Sequence, residues 1–88
     1  MNEHLKKQLR YHSWHRGMKE ADILLGGFAD KYLDQLTPEE LIIFEKLLCE
    51  KDTDIMDWIF AKSPPPAYVP EGFLEKILLC HRDRGDIV

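Results

Sequence analysis

Apolar residues recur at steps of three and four through most of this 88-residue chain, and no stretch alternates apolar with polar long enough for a half-buried strand. That periodicity confines the chain to helices packed on helices. Met18, Ala21, Leu25, Phe28, Tyr32 and Leu36 fall on one stripe of a long helix opening near Met18. Ile23 and Leu24 widen the stripe enough to meet more than one neighbour. Ahead of it, Leu5, Leu9 and His12 mark a shorter helix, broken at Trp14-His15-Arg16-Gly17 because glycine is a poor helix interior and a good terminator. Within the long helix, Gly26-Gly27 permits either a close crossing or a slight bend, and both stay open at this level.

The remaining boundaries have local causes. In Thr37-Pro38-Glu39-Glu40, Thr37 caps a third helix, Pro38 suits its first position and Glu40 completes a capping box. That helix is expected to run to about Glu50 and to bury Leu41, Phe44, Leu47 and Leu48. Asp52-Thr53-Asp54 reads as a second N-cap, opening a short helix with Ile55, Met56 and Ile59 inward and Trp58 or Phe60 partly so. Trp58 is assigned to the core rather than to an interface. Ser63-Pro64-Pro65-Pro66 is expected to end this helix. Pro70-Glu71-Gly72 opens a last one, in which Phe73, Ile77 and Cys80 share a face with Leu74 and Leu78, before a frayed tail at about 83–88. The expected fold is all-α: one helical domain over 1–88, a compact bundle of about five short helices with antiparallel neighbours. A domain this small buries only roughly 60% of the surface its unfolded chain exposes, so modest stability is expected.

Several function classes drop out on composition. No apolar run approaches the ~20 residues that span a bilayer, so no direct membrane insertion is expected. The opening residues turn polar too soon for a signal-peptide core, which predicts a cytoplasmic protein. Cys49 and Cys80 lie in apolar helical patterns with no CxxC pair and are expected to be buried free thiols. A net charge of −4 argues against general nucleic-acid binding. The charge is uneven, however. Lys6, Lys7, Arg10, Arg16 and Lys19 crowd the first 20 residues, whereas acidic residues dominate 30–57, so a basic end and an acidic flank are expected, a pattern suited to orienting on a protein partner.

Catalytic chemistry finds little to work with. Ser13 and Ser63 lack the glycine-flanked turn that exposes a nucleophile, and neither a phosphate-binding glycine loop nor an HExxH spacing is present. His4, His12 and His15 have no cysteine or close carboxylate to complete a metal site, so no metal and no enzymatic activity are expected. What stands out is the corner Arg16-Gly17-Met18-Lys19-Glu20. Gly17 lets the backbone turn and exposes peptide groups, Arg16 offers a planar five-donor fork, and Glu20 suits the first turn of a helix. Two readings fit: a corner held by a surface Arg16–Glu20 ion pair worth ~0–1 kcal/mol, or a surface built for a partner.

The run Trp14-His15-Arg16-Gly17-Met18-Lys19-Glu20-Ala21-Asp22-Ile23-Leu24-Leu25 resembles the RGxxE signature of the succinate dehydrogenase assembly factors that promote flavinylation. Phe28, Tyr32-Leu33, Leu36, Glu40-Leu41, Phe44-Glu45, Leu47-Leu48 and Asp52-Thr53-Asp54-Ile55-Met56-Asp57-Trp58 fall where that family has its characteristic residues, so the likeness covers roughly residues 10–60. It implies a five-helix fold and a chaperone-like role in covalent attachment of FAD to a histidine of the flavoprotein subunit of succinate dehydrogenase or fumarate reductase. It further implies that the chain has no cofactor of its own, acts on the FAD of its partner, and binds through Arg16, Gly17 and Glu20, with Met18, Lys19 and Asp22 beside them. A monomer is expected because the apolar stripes are satisfied by five helices packing on one another. His15 and Ala21 depart from the arginine and the large apolar residue common in relatives, weakening local positive charge and removing some packing. A Gly17→Arg change is expected to block approach of the partner without disturbing the fold. The alternative from another class is an antitoxin-like or regulatory protein-binding module, which would not depend on the RGxxE corner.

Overall fold

The computed structural model describes residues 3–83, and its elements are five α-helices and one 3-10 turn, with no strand among the described residues. They are α1 (Glu3–Trp14), α2 (Lys19–Tyr32), a 3-10 turn (Leu33–Gln35), α3 (Pro38–Leu48), α4 (Asp52–Ile59) and α5 (Phe73–Asp83). The expected all-helical bundle of five helices is what forms. The tail expected at 83–88 falls outside the described residues apart from Asp83, which ends α5.

α2 is the element the others pack around. Its Ala21, Leu24, Leu25, Gly26, Gly27, Phe28 and Ala29 are all buried, because α1, α4 and α5 each cover part of it. Phe28 sits among Tyr32, Phe44 and Phe73 with ring centroids 5.5, 5.5 and 5.9 Å away, the spacing at which tilted aromatic pairs attract. Leu41, Leu47, Ile55, Ile77 and Cys80 close the same core. Trp58 packs partly buried against this core, in line with its assignment.

Gly26-Gly27 resolves in favour of close crossing. The Trp14 ring, at the end of α1, lies directly on Gly26, and any Cβ there would overlap it. The indole Nε1 donates to Asp30 Oδ1 at 3.2 Å, which fixes the ring on that spot.

Several boundaries differ from expectation. α2 stops at Tyr32 and passes through the 3-10 turn, so Leu36 reaches the core from extended backbone rather than from the helical stripe. α3 stops at Leu48, and Cys49 just beyond it is exposed, not buried like Cys80. Asp52 does not cap α4: Lys51 occupies that position, with no side-chain cap, and the Asp52 carboxylate is committed elsewhere. The prolines do not end α4 either. Lys62 N–H donates to Asp57 O at 2.7 Å and Ala61 N–H to Trp58 O at 3.2 Å, the two bonds of a Schellman turn, with Ala61 at φ +58 in the place glycine usually takes.

Candidate functional site

The corner between α1 and α2 is built by two side chains that were expected to face a partner. Gly17 has φ +100, a conformation that a side chain would strain, and nothing lies within 4 Å of where its Cβ would be. Gly17 itself is exposed. Just before it, Arg16 N–H donates to Asp22 Oδ1 at 2.6 Å. Asp22 lies in the first turn of α2, where the helix dipole favours a carboxylate, and reaches back over the turn to pin it. A Gly17→Arg change is thus not neutral to the fold, as the sequence suggested, because it forces a side chain onto positive-φ backbone.

Arg16 points inward, away from Glu20. Its Nε donates to Asp52 Oδ1 at 2.7 Å, Nη2 donates to Glu50 O at 2.7 Å and Nη1 donates to Leu48 O. The guanidinium side chain is 9% exposed and that of Asp52 17%. Helix ends leave backbone groups without partners, and one planar fork here serves the last carbonyl of α3, the loop beyond it and the first carboxylate of α4. Charge-assisted bonds of this kind contribute about 1.5–3 kcal/mol each when shielded from water. The surface Arg16–Glu20 pair does not form.

The same loop is held from its other side. Tyr68, just past Pro64–Pro66, donates its hydroxyl to Glu50 Oε2 at 2.8 Å, and Lys46 Nζ lies 5.5 Å over its ring. Burial first, and then the Glu50 carboxylate, push the Tyr68 hydroxyl up from 10.0 to about 12. The proline segment is thereby tied to the loop that Arg16 grips.

The other residues of the signature lie on the outside. Met18 is the half-buried N-cap of α2 and Lys19 its exposed first residue. Glu20 follows, exposed, with no hydrogen-bond or ion-pair partner among the described residues. It also lines a hollow of about 210 Å³ together with Ile23, Leu24, Met56, Phe60 and His81. The Nδ1 atom of His81 is shielded from solvent and has no partner among the described residues.

The departures from the family pattern have local homes. His15 stacks on Tyr11 with ring centroids 4.0 Å apart and bonds through Nδ1 to the Tyr11 carbonyl at 2.7 Å. Ala21 is fully buried. Part of the expected basic end is paired in place with acidic residues from further along the chain. Lys6 pairs with Asp34 at 3.5 Å, Arg10 with Asp30 at 3.7 Å and Asp34 at 3.9 Å, and Arg16 with Asp52. Sequence reasoning missed Asp52 and Glu50 as partners of the corner. They lie more than 30 positions away; the acidity of Asp52 could have hinted at its role, whereas Glu50 serves through its backbone carbonyl, which the sequence does not mark.

Comparison with known proteins gives a consistent picture. A family model described as flavinator of succinate dehydrogenase matches residues 7–80. Succinate dehydrogenase assembly factor 2, mitochondrial, of Dictyostelium discoideum is 43% identical over 76 residues, 86% of this chain and 51% of that protein. FAD assembly factor SdhE of Acetobacter pasteurianus is 39% identical over 61 residues, 69% of this chain and 56% of that protein. The Saccharomyces cerevisiae succinate dehydrogenase assembly factor 2 is 46% identical over 71 residues, 74% of this chain and 44% of that protein. The chain spans about half the length of these curated relatives.

Proposed function

The chain belongs to the family of flavinators of succinate dehydrogenase, and from that premise we propose that it binds the flavoprotein subunit of succinate dehydrogenase and promotes covalent attachment of FAD to it. The flavoprotein of fumarate reductase is the second client in this reading. The observation that carries it is the division of labour at the corner. Arg16 and Asp22 are spent inside the protein, which leaves the open Gly17 backbone rigid and Glu20 free beside it.

The bond between flavin and histidine forms between groups of the partner, so the helper needs no acid, base or nucleophile. Docking on a rigid corner holds the flavin-binding domain with its histidine and ring aligned, and alignment alone can supply several kcal/mol of a barrier. Gly17 and Glu20 meet the partner, and Arg16 and Asp22 act through them by positioning, with Met18 and Lys19 at the edge of the same surface. The protein acts as a monomer, with no cofactor of its own, and works in the cytoplasm. Its free thiols suit a reducing compartment. No helix among the described residues is long and apolar enough to cross a membrane. Nothing in the geometry favours the antitoxin-like alternative, since Lys6 and Arg10, cations that a nucleic acid would need free, are paired with Asp30 and Asp34.

The test is covalent flavin fluorescence of the flavoprotein subunit in a denaturing gel, from cells with this gene intact, deleted, or carrying Glu20→Ala. Covalent flavin should fall on deletion and stay low with Glu20→Ala. An unchanged signal on deletion would remove the assembly role.

A further inference from the structure

The hollow that Glu20 shares with Ile23, Leu24, Met56, Phe60 and His81 is not needed to build the corner, yet it adjoins its one unpaired carboxylate. Its walls are mainly apolar, contributed by α2 and the end of α4, with His81 of α5 closing one side. Phe60 is 46% exposed there, and the Schellman turn at Ala61 fixes its backbone. An aromatic ring held half in water beside other apolar side chains is the makings of a protein–protein anchor point.

Three observations narrow the occupant. Sites that enclose cofactors and drug-sized ligands run to about 300–1,000 Å³, and this hollow is about 210 Å³, so it suits a single side chain better than a flavin. Glu20 is an unpaired anion at its edge, and covering it without a counter-charge would be costly. A second copy of this chain, itself carrying −4, brings no surplus of cations to such a site.

We propose that this groove receives one large apolar side chain of the flavoprotein subunit, flanked there by a cationic residue that pairs with Glu20. The proposal rests on the assembly-factor reading and adds to it where the partner is gripped and by what chemistry.

The experiment measures binding of the purified flavoprotein subunit, without covalent flavin, to fluorescently labelled full-length protein by anisotropy. The variants are Phe60→Ser, Glu20→Gln and, as a matched control, Ile42→Ser, whose side chain on α3 is 51% exposed outside the groove. Thermal unfolding is followed for each. Phe60→Ser should raise Kd by about tenfold or more while staying folded at the assay temperature, with an unfolding temperature only modestly lowered by loss of its half-buried ring. Ile42→Ser should bind as the unaltered protein does. Glu20→Gln should weaken binding and flatten its dependence on salt. If Phe60→Ser binds normally while Glu20→Gln is weakened, the groove proposal falls and the assembly reading stands. If the unaltered protein does not bind the flavoprotein at all, both fall. Free FAD binding to this chain, or self-association in sedimentation, that Phe60→Ser abolishes would assign the groove to another occupant and overturn the proposal.

Discussion

Arg16 and Asp52 stand 36 positions apart in the chain, and their side chains meet with 2.7 Å between Nε and Oδ1. That pair joins the α1–α2 corner to the α3–α4 junction, and it is nearly closed to water. Breaking it from either side leaves a shielded charge without its partner.

Arg16→Ala and Asp52→Ala should each destabilise the fold by roughly 3 kcal/mol. In a domain of this size that lowers the unfolding temperature by about 10–20 °C. The double variant should cost far less than the sum, giving a coupling of about 1.5 kcal/mol or more in a thermal or urea cycle. Arg16→Lys should not rescue, because a point charge cannot reach Asp52 and two carbonyls at once.

Glu20 and Asp22 should separate function from stability. Glu20→Ala removes no hydrogen bond or ion pair to the described residues, so unfolding should shift by less than about 0.5 kcal/mol while flavinylation is lost. Asp22→Ala frees the Arg16 N–H and should cost about 1–2 kcal/mol, with partial loss of flavinylation as the Gly17 turn loosens. Circular-dichroism melts beside the flavin-fluorescence gel would read both.

Gly26→Ala sets two effects of opposite sign against each other. Helix propensity alone favours alanine by about 1 kcal/mol. Overlap with the Trp14 ring costs about 1–3 kcal/mol, so the melting temperature should fall. In a Trp14→Ala background the overlap is gone, and the same substitution should turn stabilising.

Ala61→Gly should stabilise. Ala61 pays for a φ of +58, and glycine adopts that conformation without the steric cost, so a gain of up to about 1 kcal/mol is expected after its greater unfolded-state entropy is set against it. Urea unfolding at constant slope would measure it.

Tyr68 should give stability a dependence on alkaline pH. Its hydroxyl rises from 10.0 to about 12 in the folded protein, so the native state keeps a proton that the unfolded chain releases. The contribution is complete below pH 10 and is lost as pH rises through about 12. Tyr68→Phe should flatten that part of the profile and remove the phenolate absorbance step near pH 12 in a spectrophotometric titration.

Local signals were legible wherever a cause lay within four residues of its effect. The capping box at Thr37 and Glu40 forms both its bonds, at 3.0 and 3.1 Å, and the buried faces of α3 and α5 follow their spacing. Asp52-Thr53-Asp54 has the composition of a cap, yet the Asp52 carboxylate is drawn to Arg16, a tertiary partner that no local pattern encodes. Leu36 kept its place in the core while losing its helix, since burial depends on position and not on how the backbone arrives there. Cys49 lies on the apolar pattern but follows the last turn of α3, where the chain swings outward. At the site, the signature and its exposed Glu20 could be read directly. The inward turn of Arg16 could not, because its carbonyl partners at Leu48 and Glu50 carry no mark in the sequence.

The grip of Arg16 on Leu48, Glu50 and Asp52 also makes the corner depend on both halves of the chain. A chain that has formed only α1 and α2 has no finished corner, since its anchor points have yet to arrive from the second half of the molecule. On the proposed reading, the corner that meets the partner is therefore finished only in a molecule whose later helices are in place.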